Sequence, residues 1–342
     1  MNRIHVLLLF GGMSAEHEVS VASAHNIFAA LDDEKYEVSL GYIDKKGKWW
    51  LVEALDSPIV THGRPQLVPV FGTGQFATIP ATSFSKPDVI LPVLHGPNGE
   101  DGTVQSVARM LPVPIIGCDV TSAALCMDKV LAKVILQAAG LPIVPYAAHV
   151  QDQPAPDFAK LSAELGTPLF VKPANMGSSV GVSKVHNQDE LAQALEVAHA
   201  YDRKVLIEMN MNARELEVAI FTEHSVPQVS GVGEIDPNAE FYTYQAKYDT
   251  ASEAELIIPA NLTDDMARTV QNYAEQAFKA LDCRGLSRVD LFLTDDEKIY
   301  VNEINTFPGF TNSSMFPKLW RQEGVHYPQL LERLINDALH YR

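Results

Sequence analysis

Apolar residues in the first hundred positions fall into short unbroken runs. Ile4 to Phe10 and Asp88 to Leu94 are nearly continuous, the pattern of strands buried on both faces of a parallel sheet, and Val38 to Ile43 is a further strand between them. Ala15 to Leu31 carries helical periodicity and follows Gly11 and Gly12, a strand–turn–helix entry. Residues 51 to 86 are rich in Pro, Gly and Thr with weak periodicity, which predicts a long connection or small hairpins. A helix ending at Met110 and a strand starting at Ile115 complete a doubly wound parallel α/β unit over residues 1–120. Its functional loops belong at the carboxyl ends of the strands, at Gly11 to Glu16 and His95 to Gly102.

The pattern then changes. Residues 121–212 predict a small α+β unit: one helix from Ser122 to Ala139, then strands and helices ending in the strand Lys204 to Glu208. Residues 213–342 predict strands near Leu216–Phe221, Pro227–Glu234, Val289–Thr294 and Lys298–Ile304, with a helix Thr263 to Leu281 for which Thr263 is a suitable N-cap. A polar, aromatic stretch at about 236–255 has the composition of a mobile lid.

Composition narrows the class. At 342 residues the chain is long for one core. A net charge of −17, from 26 basic and 43 acidic residues, disfavours nucleic acid and anionic membrane surfaces, so any phosphate site must be built locally. The early run Val6 to Phe10 is too short for a membrane span or a signal-peptide core, which makes the cytoplasm the default. Cys118, Cys126 and Cys283 share no metal-ligand spacing, and an odd count points to reduced thiols.

Candidate chemistry concentrates near the C-terminus. Asp290 sits near the start of one strand, and Glu303 and Asn305 end the next, two apart and so on one face. These hard oxygen donors suit Mg²⁺ or Mn²⁺, and Arg288 beside them completes a phosphoryl-transfer arrangement; an ordinary charged hairpin is the plainer alternative. Val171 to Val185 reads strand, small-residue turn, strand: Gly177, Ser178, Ser179 and Gly181 let backbone N–H groups approach an anion, and Lys172 can reach the same phosphates. Glu208 and Glu215 flank a segment through Met209 and Met211 whose backbone could pair with adenine, although a linker with solvated acids would look the same. Lys129 is a phosphate-ligand candidate or, with Lys133, part of a solvated helix face. Capping alone would explain Glu16 and core packing would explain His95; Thr306 to Ser314 offers Gly309 as an oxyanion donor or is a simple turn.

The order of these segments is what discriminates. HGxxGEDG, MDK, KPxxxGSSxG, a glutamate pair, AKY, RVD and NEINTxPGxTxxS occur in sequence, and from Gly11 to Ser314 the chain resembles the D-alanine–D-alanine ligases of the ATP-grasp superfamily. The resemblance implies a two-lobed ATP-grasp fold after the first domain, ATP and two Mg²⁺ or Mn²⁺ ions, D-alanine as substrate, and a homodimer. It implies that Lys129, Lys172 and Lys247 contact phosphates, that Glu208, Met209, Met211 and Glu215 hold the nucleoside, and that Asp290, Glu303 and Asn305 bind metal. It also implies that Arg288 and Gly309 stabilise the oxyanion, that Glu16 binds the first D-alanine beside His95, and that Ser314 and Met315 border the second. By the same resemblance Ser178 would position Glu16 and the lid residue Tyr248. Tyrosine there points to the dipeptide over a D-alanyl-D-lactate ester, while Gln245 departs from the common EAKY form. A catalytically dead nucleotide-binding relative would lack some of these charges, and a nicotinamide-dependent oxidoreductase would need a GxGxxG turn; the chain fits neither.

Overall fold

Three sheets follow one another along the chain in the computed structural model, which describes residues 3–236 and 255–340. The first has six strands in the order β5-β4-β3-β2-β1-β6: β1 (Ile4–Gly11), β2 (Tyr36–Ile43), β3 (Trp49–Val52), β4 (Gln66–Val70), β5 (Gln75–Ile79) and β6 (Val89–Val93). The strand β1 lies between β2 and β6, parallel to both, and is buried from His5 to Gly11, as its unbroken apolar run predicts. The other half of the sheet is antiparallel. The stretch 51–86 is therefore more than a connection: it contains a hairpin of β4 and β5 that extends the sheet through β3. The parallel reading holds only for β2, β1 and β6, and Ile115 contributes a single bridge to Ile90 in place of a strand. Helices α1 (His17–Ala30) and α2 (Thr103–Met110) follow β1 and β6. Gly11 needs its missing side chain, since a Cβ there would meet the Ile43 carbonyl at 2.2 Å.

The predicted helix 122–139 is two helices, α3 (Val120–Met127) and α4 (Lys129–Ala138). Asp128 breaks them: its backbone leaves the helical region (ψ 94°), and its carboxylate caps α4 by accepting from Val130 and Leu131 N–H at 3.1 Å each. A four-stranded antiparallel sheet follows, β7 (Tyr146–Val150), β10 (Lys204–Met209), β8 (Leu169–Pro173) and β9 (Ser183–Val185) in that order. Helices α5 (Phe158–Leu165) and α6 (Gln188–His199) cover it.

The third sheet is also antiparallel, with β13 (Glu255–Ile257), β12 (Val226–Asp236), β11 (Ala213–Glu223), β14 (Leu286–Thr294) and β15 (Ile299–Asn305) in order. Helix α7 (Asp264–Ala280) starts at Thr263, whose hydroxyl accepts from Met266 N–H at 3.3 Å. Two helices that the strand pattern did not suggest, α8 (Met315–Gln322) and α9 (Tyr327–His340), close the chain. Phe316, Leu330 and Leu334 share one core with Val6, Leu8 and Phe10, so the end of the chain packs on its first sheet. The three cysteines, scattered in sequence, meet at a second junction: Cys126 of α3 lies 3.5 Å from Cys283 after α7, and Cys118 reaches the Ser287 hydroxyl at 3.4 Å. All three are buried free thiols.

Candidate functional site

Two cavities adjoin between the sheets. The smaller, of about 290 Å³, lies between the four-stranded and five-stranded sheets; the larger, of about 900 Å³, opens toward the loops after β1 and β6. Lys129, Ser178, Glu217, Arg288 and Glu303 line both.

Strand pairing builds the wall between them. Glu217 of β11 sits opposite Asp290 of β14, and Asp290 opposite Glu303 of β15. Three carboxylates thus stand side by side across three strands, with Asn305 opposite Arg288. Arg288 forks onto Asp290 with two bonds of 2.7 Å and lies 3.1 Å from Glu217. Burial opposes its charge, but Asp290 and Glu217 outweigh that and raise its pKa. Asn305 donates to Asp290 at 2.8 Å, and Lys129 pairs with Glu303 at 3.2 Å. Three acids and two cations face one another among the described residues, a balance that suits an added cation. The donor set of Asp290, Glu303 and Asn305 is all oxygen, fitting Mg²⁺ or Mn²⁺, which retain water ligands. No three His, Cys, Asp or Glu side chains among the described residues form a metal-holding group by themselves.

The small-residue turn closes one side. Ser178, Ser179 and Gly181 have φ of 50°, 58° and 72°, left-handed backbone that is costly for serine. Lys129 Nζ donates to Met176 O in this turn at 2.9 Å. Deeper in the smaller cavity, Glu208 pairs with Lys133 at 2.7 Å and with Lys172 more closely still. Burial works against the Glu208 charge, yet the two lysines hold its carboxyl below the usual range. The cluster carries one net positive charge, which favours an anion. Met209 N–H is taken by Pro145 O at 3.0 Å; Met211 and Glu215 line the same cavity.

In the larger cavity Glu16 occupies the N-cap of α1 without making a side-chain cap. Its carboxylate instead accepts from the Ser178 hydroxyl at 2.6 Å and lies against Gly96 and Gly177, where added Cβ atoms would stand 2.9 and 3.3 Å from its Oε2. The capping alternative for Glu16 therefore fails. His95 is buried, with Nδ1 3.1 Å from Phe307 O and Nε2 3.4 Å from Ser23 Oγ; burial lowers its pKa and keeps the ring neutral. Gly309 is held from both sides: Phe307 N–H donates to Glu100 at 3.2 Å, and Phe310 N–H to Ser23 Oγ at 3.4 Å. Ser314 accepts from Thr311 N–H at 3.0 Å beside Gly309, while Met315 is buried against Gly233.

Residues separated by up to 299 positions, from Glu16 to Met315, thus meet at one site. Lys247 and Tyr248 lie outside the described residues. Sequence reasoning missed Lys133, Glu217 and Glu100. Their signals were present: Lys133 stands one helical turn from Lys129, Glu217 two strand positions from Glu215, and Glu100 inside HGPNGEDG.

Residues 5–118 match the family model described as D-ala D-ala ligase N-terminus, and residues 135–336 the one described as D-ala D-ala ligase C-terminus. A D-alanine–D-alanine ligase of Thermoanaerobacter sp. (strain X514) is 45% identical over 359 aligned residues, which cover 99% of this chain and 97% of the relative. The structure of the D-alanine–D-alanine ligase from Coxiella burnetii superposes with a TM-score of 0.88 at 33% identity, covering 99% of this chain and 94% of that one. The VanG D-Ala:D-Ser ligase of Enterococcus faecalis gives 0.88 at 32% identity, covering 98% and 100%.

Proposed function

The chain belongs to the D-alanine–D-alanine ligase family, and from that premise we propose that it joins two D-alanines with ATP through a D-alanyl phosphate. The observation that carries this reading is the row Glu217, Asp290, Glu303, faced by Arg288 and Lys129, at the join of the two cavities. We read the three sheets as units 1–120, 121–212 and 213–342.

ATP occupies the smaller cavity. Glu208 and Glu215 serve adenine and ribose, the Met209 carbonyl and Met211 N–H serve the adenine edge, and Lys129, Lys172 and the turn around Ser178 receive the phosphates. Asp290, Glu303 and Asn305 would hold two Mg²⁺ or Mn²⁺ ions, which when bound supply charge neutralisation at the phosphoryl oxygens. The first D-alanine sits in the larger cavity with its ammonium on Glu16, held in place by Ser178, and with His95 nearby. Its carboxylate oxygen attacks the terminal phosphorus and ADP leaves. Arg288 and the Gly309 N–H then face the acyl oxygen as charge develops on it. The second D-alanine, bordered by Ser314 and Met315, loses an ammonium proton; its amine attacks the acyl carbon and phosphate departs. Lys247 at the transferred phosphoryl and Tyr248 as lid rest on the family resemblance. The product suits peptidoglycan precursor synthesis in the cytoplasm, by a homodimer.

No helix among the described residues is long and apolar enough to cross a membrane. The testing experiment is phosphate release with ATP and Mg²⁺, supplying D-alanine, L-alanine, D-serine and D-lactate singly and each with D-alanine. D-Alanine alone should give phosphate and dipeptide in equal amounts. Phosphate without dipeptide, or a mixed product dominating at equal concentrations, would overturn the assignment.

A further inference from the structure

Behind the phosphate-facing surface lies a charged group that lines neither cavity: Asp128, Asp202 and Lys204. Lys204 opens β10, and its ammonium pairs with the carboxylate of Asp128, whose residue is 8% exposed. Asp128 precedes Lys129 and caps α4. Lys129 N–H donates to Ala174 O at 3.1 Å, and Ala174 N–H donates to Lys204 O at 2.9 Å. These links close a ring: Lys204 to Asp128, Asp128 to Lys129 along the chain, Lys129 to Ala174, and Ala174 back to Lys204. Asp202 ties in the next residue of the turn, accepting from Asn175 N–H at 2.8 Å, from Asn175 Nδ2 at 2.7 Å and from Lys204 N–H at 3.0 Å.

From this ring we infer that Lys204 is a positioning residue for nucleotide phosphates: through Asp128 it fixes Lys129 and the turn 174–181 against each other. The inference rests on reading the smaller cavity as the nucleotide site. Two physical effects converge on Lys204. The ring sets the distance between the start of α4 and the start of the turn, the two backbone elements that must face one polyphosphate together. The ion pair also cancels the Asp128 charge. That carboxylate is needed as a cap where the chain breaks between α3 and α4. Left alone, it would subtract from the positive potential one residue away, at Lys129. Lys204 lets a negative cap and a phosphate-facing lysine stand side by side.

The test separates phosphate from nucleoside. Lys204→Met keeps the aliphatic stem and removes the charge. By calorimetric titration with Mg²⁺ present, ADP should bind the variant about tenfold more weakly, the low end of what is lost when the hydrogen-bond partner that orients a metal ligand is removed. Adenosine, which lacks phosphate, should bind within about twofold of wild type. The Michaelis constant for ATP should rise more than kcat falls, and Lys204→Arg should recover most of the ADP affinity. If Lys204→Met gives no folded protein, Lys204→Gln is read by the same ADP-to-adenosine comparison. Equal weakening of both ligands, or no change in either, overturns this inference alone. A wild-type protein that binds no ADP overturns the nucleotide reading as well.

Discussion

Replacing Glu208 by Gln tests the buried charge balance of the smaller cavity. Glu208 stands between Lys133, whose side chain is 1% exposed, and Lys172, whose side chain is 16% exposed. Removing one partner of a buried ion pair costs about 3–5 kcal/mol, because the other charge is left uncompensated. Gln keeps the shape and can accept one hydrogen bond, and Lys172 reaches some solvent, which brings the expectation to about 2–4 kcal/mol. With an unfolding entropy of about 2.1 cal/mol/K per residue over 342 residues, 3 kcal/mol lowers Tm by about 4 °C. The loss should also depend on pH. Burial already holds Lys133 below the ordinary lysine value of 10.5, against the pull of Glu208. Without Glu208 it falls further, so the folded variant releases a proton that the unfolded chain keeps. Over that interval the unfolded state binds more protons, and the variant gains stability as pH rises toward 10.5. Melting curves of wild type and Glu208→Gln at about pH 7 and about pH 9.5 should show the gap narrowing at the higher pH. A variant melting within about 1 °C of wild type at pH 7, or a gap that widens in alkali, would refute the reasoning.

Arg288→Ala should lower kcat by about 10²-fold or more with a smaller change in the Michaelis constant for ATP, and Arg288→Lys should not restore it because the fork onto Asp290 is lost; a pure affinity defect in steady-state kinetics would reassign the residue. Ser178→Ala removes the 2.6 Å bond to Glu16 and should weaken use of the first D-alanine by about tenfold, while an equal rise in the Michaelis constant for ATP would count against a role centred on Glu16. Burial, reinforced by Glu16, raises the Glu100 carboxyl from 4.5 to about 8. The folded protein holds a proton there that the unfolded chain releases, so stability should fall as pH climbs between those values; Glu100→Gln, which keeps the neutral shape, should flatten that slope in urea titrations, and an unchanged slope would remove Glu100 as its source.

Much of the site was legible because strand alternation is local. Glu303 and Asn305, two apart, had to share a face, and the hairpin with β14 brought Asp290 and Arg288 opposite them. Glu217 obeys the same period from Glu215, yet the predicted strand began near Leu216 and left Glu215 outside it, which hid that both lie on one face of β11. The break at Asp128 was also local, an N-cap residue before a helix-forming run, but the apolar period carries on across it. The Lys133–Glu208 pair and the meeting of the three thiols join residues 75 to 165 positions apart, and no spacing rule reaches that far. Small hairpins were one of two readings for 51–86, and β4 with β5 forms one; Pro and Gly weakened the alternation, so the pattern alone did not favour it over a plain connection.

The three thiols supply a built-in clock for the joint they occupy. Cys118, Cys126 and Cys283 come from the segment leaving the first sheet, from α3 and from the loop after α7. Burial raises the pKa of Cys118; at Cys283 a hydrogen bond with Cys118 pulls the pKa down, but Cys126 and burial outweigh it and raise it, so alkylation in the closed protein is suppressed both by access and by lack of thiolate. Modification by a small thiol reagent then proceeds through moments when these segments part. At reagent concentrations high enough for alkylation to outrun reclosing, its rate counts openings of the joint without any engineered label.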